Sequence, residues 1–325
     1  TLMWLAILAV VVGLAILVWS ADVFIDGAVA LANKLNVPSF LIGVIILGLG
    51  TSAPEMIVSM LAALEGSPEL ALGNAYGSNI VNIALVLGAT VLISPIIIRK
   101  SIINRDMPLL LLVTAVAAWQ LSDGVLSNTD GIVLIVLLVV VLGIQIILSL
   151  REGNHEHEGD TVEETAKAEH SMAQGLGRLF LGLLVLILSS RAIVWGAIEL
   201  ATLWGLSELI IGLTIVAIGT SLPELVASLS AARKGEHDMA LGNIIGSNVF
   251  NTLGVVGVAA LIAPITPSSI ILSRDILAMG LLTLLLFAMC LFAFKTKRAF
   301  GRTSGTTLVL FFVGYTVWLI QTVSM

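Results

Sequence analysis

The chain has 325 residues, of which 58% are hydrophobic and only 11% are charged, and its mean hydropathy is +1.10. Roughly a quarter of the residues in soluble domains are charged. The composition therefore excludes a soluble globular protein and indicates a polytopic membrane protein. The net charge of −6 says little about partners, and the single cysteine, Cys290, excludes an intramolecular disulfide.

Ten apolar stretches are long enough to cross a bilayer, which takes about 20 residues of helix. In chain order they are 2–24, 38–64, 70–93, 106–121, 130–150, 178–200, 208–232, 239–262, 275–294 and 306–323. No basic residue precedes the first stretch and no small-residue cleavage site follows it, so we interpret it as a retained helix. The sequence therefore predicts an all-α integral membrane protein with ten transmembrane helices.

The basic residues predict the orientation of these helices. If the amino terminus is outside, the inner loops carry 13 of the 15 Lys and Arg residues, and only Arg191 and Arg274 lie elsewhere. Cytoplasmic loops are enriched in Lys and Arg, so we expect both termini in the periplasm and the polar segment 151–174 in the cytoplasm. The His-Glu-His-Glu run at 155–158 leaves a metal-sensing or regulatory role open, although a solvated acidic linker is the simpler interpretation.

The second stretch contains a motif that occurs twice. Gly50-Thr51-Ser52-Ala53-Pro54-Glu55 is matched 169 positions later by Gly219-Thr220-Ser221-Leu222-Pro223-Glu224. From Gly43 to Asn82, 19 of 40 positions are identical to those 169 positions later. The chain is therefore two copies of one unit, and we place their bounds at 1–150 and 175–325 with the linker 151–174 between them. Five helices per copy predict opposite orientations, as in the inverted repeats of secondary transporters.

Each copy of the motif places a carboxylate inside a membrane helix. Glu55 and Glu224 lie midway along the second and seventh stretches, where an ionisable residue indicates a function by default. The alternative is a pair of carboxyls held by neighbouring hydroxyls for helix packing. Pro54 and Pro223 cannot donate to the carbonyl four residues earlier, so we expect both helices to be broken there. Hydroxyls and freed carbonyls would then gather around each carboxylate.

A second duplicated motif supplies amides and hydroxyls. Asn74, Ser78 and Asn82 recur every four residues and so share one face of the third helix. The eighth helix repeats this pattern with Asn243, Ser247 and Asn251. All of these ligands are hard oxygen atoms, which suit Ca²⁺ or Na⁺ rather than zinc or copper. Two carboxylates match one Ca²⁺ in charge or hold several Na⁺, and competition between these ions is a physical basis for exchange.

Other charged residues allow two interpretations. Asp22 and Asp26 lie one helical turn apart on the first helix, and Arg191 occupies the position equivalent to Asp22 in the second copy. A role in gating or ion entry is one interpretation. Snorkelling towards the interface, or pairing across the two copies, is the other.

Two other classes of membrane protein fit parts of the pattern. Ser52 or Ser221 could serve as the nucleophile of an intramembrane hydrolase, but all four histidines lie in predicted loops and no base is available. We therefore do not expect an enzyme. A cation channel would favour a ring of ligands around an axis shared by subunits, whereas two antiparallel copies that meet at one site favour a carrier.

The paired Gly-Thr-Ser-x-Pro-Glu and Gly-Asn-x-x-Gly-Ser-Asn-x-x-Asn motifs resemble the two α-repeats of the calcium/cation antiporter superfamily. Within it, the chain is similar to the short prokaryotic inner-membrane members of the sodium/calcium exchanger family, over essentially its whole length. The resemblance implies exchange of Ca²⁺ for Na⁺ by alternating access, with the first and sixth helices sliding across eight others. It implies a bacterial inner membrane, no cofactor beyond the transported ions and no nucleic-acid partner.

The resemblance also assigns ligands, with Glu55 and Glu224 shared by Ca²⁺ and Na⁺. The other implied ligands are the side chains of Thr51, Ser52, Thr220, Ser221, Ser78, Ser247, Asn82 and Asn251, and the carbonyls of Gly48 and Ala217. Family members often carry Asp where Asn251 stands, so Asn251 disfavours potassium co-transport and leaves stoichiometry and electrogenicity open. A Ca²⁺/H⁺ exchanger with the same glutamates is the alternative, and in either case protons should compete with Ca²⁺.

Overall fold

The computed structural model describes residues 1–156, 171–206, 215 and 217–323. Within these residues the regular secondary structure is helical, apart from two isolated β-bridges between loops. Nine of the described helices are long and apolar enough to cross a membrane. The prediction of an all-α integral membrane protein is confirmed.

The helices follow the predicted order of spans. Their bounds are α1 Leu2–Leu35, α2 Ser39–Leu64, α3 Pro68–Ile93, α4 Ile102–Asp123, α5 Asn128–Glu156, α6 Met172–Leu203, α7 Ala217–Thr220 and Leu222–Arg233, α8 His237–Ile262, α9 Ile271–Lys295 and α10 Arg302–Val323. Residues 208–214 and 216 of the predicted seventh span, and residues 157–170 of the predicted linker, lie outside the described residues. Several helices exceed the predicted spans, because hydropathy detects only the apolar part of a helix that continues into polar sequence.

Turns of π-helix occur at equivalent positions in the two copies. The turn in α3 is Asn82–Leu87 and the turn in α8 is Phe250–Val255. Helices α4 and α9 begin with Ile102–Asp106 and Ile271–Asp275, which are 169 positions apart. Such turns frequently mark functional sites, and the first pair carries two of the expected ligands at or beside its first residue.

The expected helix breaks differ between the two copies. Helix α7 is interrupted at Ser221, where φ is −95° and ψ is 5°, and Pro223 lies in the first turn of the segment that follows. Proline is well tolerated there because it lacks an N–H that would have no partner anyway. Helix α2 remains α-helical over Gly48–Leu64 with Pro54 inside it, and its irregular part is the π-turn Gly43–Leu47. The break expected at Pro54 is therefore absent from α2, and its irregular turn lies earlier in the helix.

Loop contacts place equivalent residues of the two copies at opposite ends of the helices. Ile96, before α4, forms a β-bridge with Phe300, before α10. Ile265, which is 169 positions after Ile96, forms a bridge with Leu126, after α4. The two bridges therefore lie at opposite ends of α4, as two copies of opposite orientation would produce.

We name the two faces of the molecule by their loops. The linker face carries the loops 94–101, 234–236 and 296–301, and the distal face carries the loops 65–67, 124–127 and 263–270. On the linker face, Arg99 Nε lies 2.8 Å from Asp238 Oδ2. On the distal face, Ser268 N donates to Glu69 Oε1 at 2.8 Å. The loop before α4 thus contacts the first turn of α8, and the loop before α9 contacts the first turn of α3.

Helices α1 and α6 form an antiparallel pair with close backbone contact. A Cβ atom added at Gly27 would lie 2.5 Å from Leu179 N, and one added at Gly196 would lie 2.7 Å from Ala6 O. Small residues allow membrane helices to approach in this way. The pair spans both copies, since α1 is the first helix of one and α6 the first helix of the other.

The acidic residues of α1 contact α7 of the other copy. Asp26 Oδ1 lies 2.7 Å from Lys234 Nζ, and Ser230 Oγ donates to Asp22 Oδ1. Of the two interpretations of these acids, the structure supports pairing across the copies.

Candidate cation-binding site

Two buried carboxylates lie at the contact between the two copies. Glu55 on α2 and Glu224 on α7 are only 5% and 1% exposed. Ser52, one turn before Glu55, donates through Oγ to Glu224 Oε1 at 3.2 Å, so the first copy contributes to the carboxylate of the second. The second oxygen, Oε2, of each glutamate is buried and has no hydrogen-bond partner among the described residues.

The hydroxyl groups of the first motif take different positions in the two copies. Thr51 is fully buried, and its Oγ1 donates to Leu47 O at 2.9 Å and contacts Asn243 Oδ1 at 3.2 Å. Thr220, its equivalent, is exposed and donates to Ala217 O at 3.2 Å. Ser221 is 2% exposed, and its Oγ has no partner in the described structure. The threonine of the first copy therefore lies in the closed interior of the protein, whereas Thr220 of the second copy faces away from this interior.

Asn74 and Asn243 join the helices that carry the two motifs. Asn74 Nδ2 donates to Ser59 Oγ on α2 at 2.9 Å, and Asn243 Nδ2 donates to Ser228 Oγ on α7 at the same distance. Each nitrogen also lies at 3.5 or 3.4 Å from the backbone carbonyl of the glutamate in the same copy. These two asparagines therefore fix α3 to α2 and α8 to α7 beside the carboxylates.

Further along the same faces, the structure places two amide oxygens in the interior. Asn82 and Asn251 are each 1% exposed, and the Oδ1 atom of each lacks a hydrogen-bond partner among the described residues. Ser247 is fully buried and donates to Gly48 O at 3.3 Å. Ser78, its equivalent, is less deeply buried and lines a cavity.

Two cavities connect this interior to the surroundings. The larger, of about 890 Å³, extends from the distal-face loops at Gly66 and Ile265 to Ser78, Ala217 and Thr220. The smaller, of about 350 Å³, is also lined by Thr220 and reaches one of the two carboxylates. Its polar lining includes Glu55, Asn74, Ser190, Arg191 and Thr220.

On the linker face, the equivalent space is filled by α2. A Cβ atom added at Gly242 would lie 2.4 Å from Phe40 O, and one added at Gly246 would lie 2.5 Å from Val44 O. Among the described residues, their equivalents in the first copy, Gly73 and Gly77, have no atom within 4 Å of such a Cβ atom, and they line the larger cavity. Among the described residues, a cavity therefore lies on the distal side, whereas α2 packs against α8 on the linker side.

The chemistry of the site follows from its unsatisfied oxygen atoms. A buried polar atom without a partner costs free energy comparable to that of a lost hydrogen bond. Five such oxygens occur here, on Glu55, Glu224, Asn82, Asn251 and Ser221. No three His, Cys, Asp or Glu side chains converge in the described parts of the chain, so two carboxylates and neutral oxygens make up the set. It fits a hard cation such as Ca²⁺ or Na⁺.

Four residues around the site carry no role in the sequence prediction. Ser59 and Ser228 accept hydrogen bonds from Asn74 and Asn243, and Asn248 donates to the backbone carbonyl of Asn79. Each pair is identical at a separation of 169 residues, and this is the signal that could have identified them.

Comparison with known proteins gives consistent matches along the chain. The sequence model described as "Sodium/calcium exchanger protein" matches residues 5–147 and 175–321. The chain is 44% identical to CaxA of Alkalimonas amylolytica, over 96% of this chain and 98% of the relative. It is 39% identical to "Inner membrane protein YrbG" of Escherichia coli (strain K12), over 98% and 96%. A solved structure of the sodium-calcium exchanger NCX_Mj superposes with a TM-score of 0.81 at 31% identity, covering 98% of this chain and 99% of the other.

Proposed function

The chain belongs to the sodium/calcium exchanger family, and on this basis we propose that it is a secondary active antiporter that exchanges Ca²⁺ for Na⁺. The family is a class of ion transporters, and this member is a multi-pass membrane protein. Ca²⁺ and Na⁺ are cargo rather than resident cofactors. The inner membrane of a bacterium is the proposed location, supported by the relative named an inner membrane protein.

The observation that carries the proposal is the group of buried oxygen atoms without partners between α2, α3, α7 and α8. Glu55 and Glu224 supply two negative charges, and Asn82, Asn251 and Ser221 supply neutral oxygens. One Ca²⁺ balances the two carboxylates, and Na⁺ ions that occupy the same oxygens compete with it. Because both ions need the same carboxylates, binding of one favours release of the other.

The proposed ligand set contains the residues predicted from the sequence, but these residues differ in the role that we propose for them. Glu55 and Glu224 are its charged members, and Ser52 contacts Glu224 directly. The Gly48 carbonyl lies beside Ser247 at 3.3 Å. Ser78, Ala217 and Thr220 line the larger cavity, and we propose that they meet ions on the way in or after a rearrangement of α7.

The one-sided opening supports alternating access. A cavity extends from the distal face to the proposed ligands Ser78, Ala217 and Thr220, whereas Gly242 and Gly246 pack against the backbone of α2 on the linker side. We propose that the bounds of the two copies are 1–150 and 175–325, that the linker 151–174 is cytoplasmic, and that the distal face is periplasmic. The close α1–α6 pair is the proposed moving unit.

A Ca²⁺/H⁺ exchanger is the second candidate, and one observation favours it. Each buried glutamate has an oxygen without a hydrogen-bond partner, and a proton would neutralise such a carboxyl as a cation does. Protons and Na⁺ are therefore alternative counter-ions at the same two residues.

Uptake of ⁴⁵Ca²⁺ into proteoliposomes tests these candidates. The vesicles are loaded in turn with Na⁺, with K⁺, or with buffer that provides only a proton gradient. We expect uptake only with internal Na⁺, and a response to membrane potential would show net charge movement. Uptake driven by protons alone would establish the second candidate, and uptake without any counter-ion would exclude a carrier.

A further inference from the structure

A chain of hydrogen bonds at the crossing of α3 and α8 ends at one of the proposed ion ligands. Asn248 Nδ2 donates to the backbone carbonyl of Asn79 at 3.4 Å, and Asn82 Nδ2 donates to Asn248 Oδ1 at 3.2 Å. All three residues are at most 2% exposed. The Oδ1 atom of Asn82 has no partner among the described residues.

The chemistry of these groups fixes the direction of every amide in the chain. A backbone carbonyl can only accept a hydrogen bond, so Asn248 must turn its NH₂ group towards Asn79. The oxygen of Asn248 then faces Asn82, and Asn82 must present its own NH₂ group to it. The oxygen of Asn82 is thereby directed away from Asn248, and it is the atom left without a partner.

The second copy lacks the equivalent chain. The side chain equivalent to Asn248 is Asn79, and its Nδ2 donates to Thr252 Oγ1 at 2.6 Å. The Oδ1 atom of Asn79 has no partner in the described structure, so it does not accept from Asn251. In the first copy, Ile83 stands where Thr252 stands in the second, so Asn248 has no such hydroxyl group to divert it.

We propose that Asn248 is a positioning residue that holds the Asn82 carbonyl oxygen towards the transported cation, and that the Asn79 backbone carbonyl sets its direction. The proposal rests on the ligand role of Asn82 under the proposed function and extends it. Asn82 is a preset ligand, because a cation meets an oxygen that cannot rotate away without breaking two hydrogen bonds. Asn251 has no equivalent support from Asn79 and must be oriented by the ion itself. The two copies therefore contribute unequal amide ligands.

A double-mutant cycle on Asn82 and Asn248 tests this assignment. The variants are Asn82→Ala, Asn248→Leu and the double variant, each assayed in proteoliposomes for the KM and kcat of Ca²⁺ uptake and for the KM of Na⁺. We expect each single variant to raise at least one ion's KM by roughly three- to tenfold, the range of one neutral hydrogen bond. We expect Asn248→Leu to add less than about twofold in the Asn82→Ala background, because Asn248 acts through Asn82.

Thr252→Val is the matched control. It removes a hydroxyl group from the same helix and the same network but leaves the Asn82–Asn248 hydrogen bond in place. We expect its KM values to stay within about twofold of the original chain, whatever it does to thermal stability. Asn248→Thr keeps an oxygen that can accept from Asn82, and its KM values should lie between those of the original chain and Asn248→Leu.

A second measurement covers variants that express poorly in vesicles. The rise in unfolding temperature caused by Ca²⁺ or Na⁺ in detergent reports ion binding without transport, and it should show the same non-additive pattern. Additive effects of the two substitutions, or an equal change in KM in Thr252→Val, would overturn the positioning role alone. Unchanged KM values in Asn82→Ala would overturn it together with the ligand role of Asn82, while leaving the two glutamates to be judged by their own variants.

Discussion

The two glutamates carry the charge of the proposed site, and Glu224 is contacted by residues from both copies. Ser52 contacts Glu224, and Asn74 and Asn243 lie beside the glutamate backbone carbonyls. The carboxylates are thus positioned before an ion arrives, which reduces the ordering needed on binding.

Replacing either glutamate by glutamine keeps its size and removes its charge. We expect Glu55→Gln and Glu224→Gln each to reduce ⁴⁵Ca²⁺ uptake by roughly a hundredfold or more, because removing one partner of a buried charge interaction costs about 3–5 kcal/mol. Glu65→Gln, at the exposed end of α2, is the matched control and should transport normally. Original activity in either buried variant would contradict the site.

Acidification should weaken Ca²⁺ binding at the same residues. A protonated carboxyl has lost the charge that attracts the cation, so the KM for Ca²⁺ should rise as the pH falls from about 8 to 6. The measurement is initial uptake with the Na⁺ gradient held constant and the internal pH buffered. A KM that stays constant across this range would show that protons do not compete at Glu55 and Glu224.

The role of a residue could be predicted from the sequence where it depends on the chemistry of its own side chain. It could not be predicted where it depends on which other side chains pack against it. Glu55 and Glu224 stand out because a carboxylate in an apolar helix needs a reason to be there. Asn79 and Asn82 have the same chemistry, and each has a buried amide oxygen without a partner among the described residues. Only the packing of α3 on α8 decides that Asn79 donates to Thr252 while Asn82 donates to Asn248. The exposure of Thr220 likewise follows from an interruption in α7 that its identical motif does not produce in α2.

The helices themselves were largely predictable, because apolar length decides where a chain crosses a membrane. The π-turns and the different treatment of Pro54 and Pro223 were not. A proline predicts that a helix must deviate, but the packing of neighbouring helices decides where. Helix α2 continues through Pro54, and its irregular turn Gly43–Leu47 lies in the part that packs on α8.

On the linker side, the close approach of α8 to α2 requires glycine in α8, and this leads to a prediction about stability. Gly246→Ala would place a Cβ atom 2.5 Å from Val44 O, whereas Gly77→Ala, its equivalent in α3, meets no atom of the described residues within 4 Å. Overpacking of this kind typically costs about 1–3 kcal/mol. We expect Gly246→Ala to lower the unfolding temperature in detergent clearly and Gly77→Ala to change it little. Equal losses of stability would show that α2 does not pack on α8 this closely.

At the scale of the whole molecule, the cavity that reaches Glu55 contains a positive charge. Arg191 lies on α6 and lines the smaller cavity, and the equivalent position of the first copy holds Asp22. A fixed positive charge lowers the local concentration of cations, so any ion that enters by this cavity meets a barrier.

Removing that charge should ease the entry of cations. We expect Arg191→Gln to lower the KM for the ion that uses this cavity by roughly fivefold at low ionic strength, equivalent to about 1 kcal/mol of screened repulsion. The difference should shrink in high concentrations of a non-transported salt. Arg178→Gln makes the same change of charge on the same helix, beside Asp26 and away from the cavity, and should leave the KM unchanged. A KM for Arg191→Gln that matches this control would exclude an electrostatic role.

The contacts Ser52–Glu224, Thr51–Asn243 and Asn82–Asn248 all join one copy to the other. If the copies were separate identical subunits, every mutation would alter both halves of the site at once. The net charge of the site could then change only by two elementary charges at a time. Fusion into one chain removes that constraint. A single base change that converts Asn251 to aspartate would add one negative charge and leave Asn82 as it is. A duplicated chain can therefore adjust the ion balance of its site one ligand at a time, which a symmetric dimer cannot do.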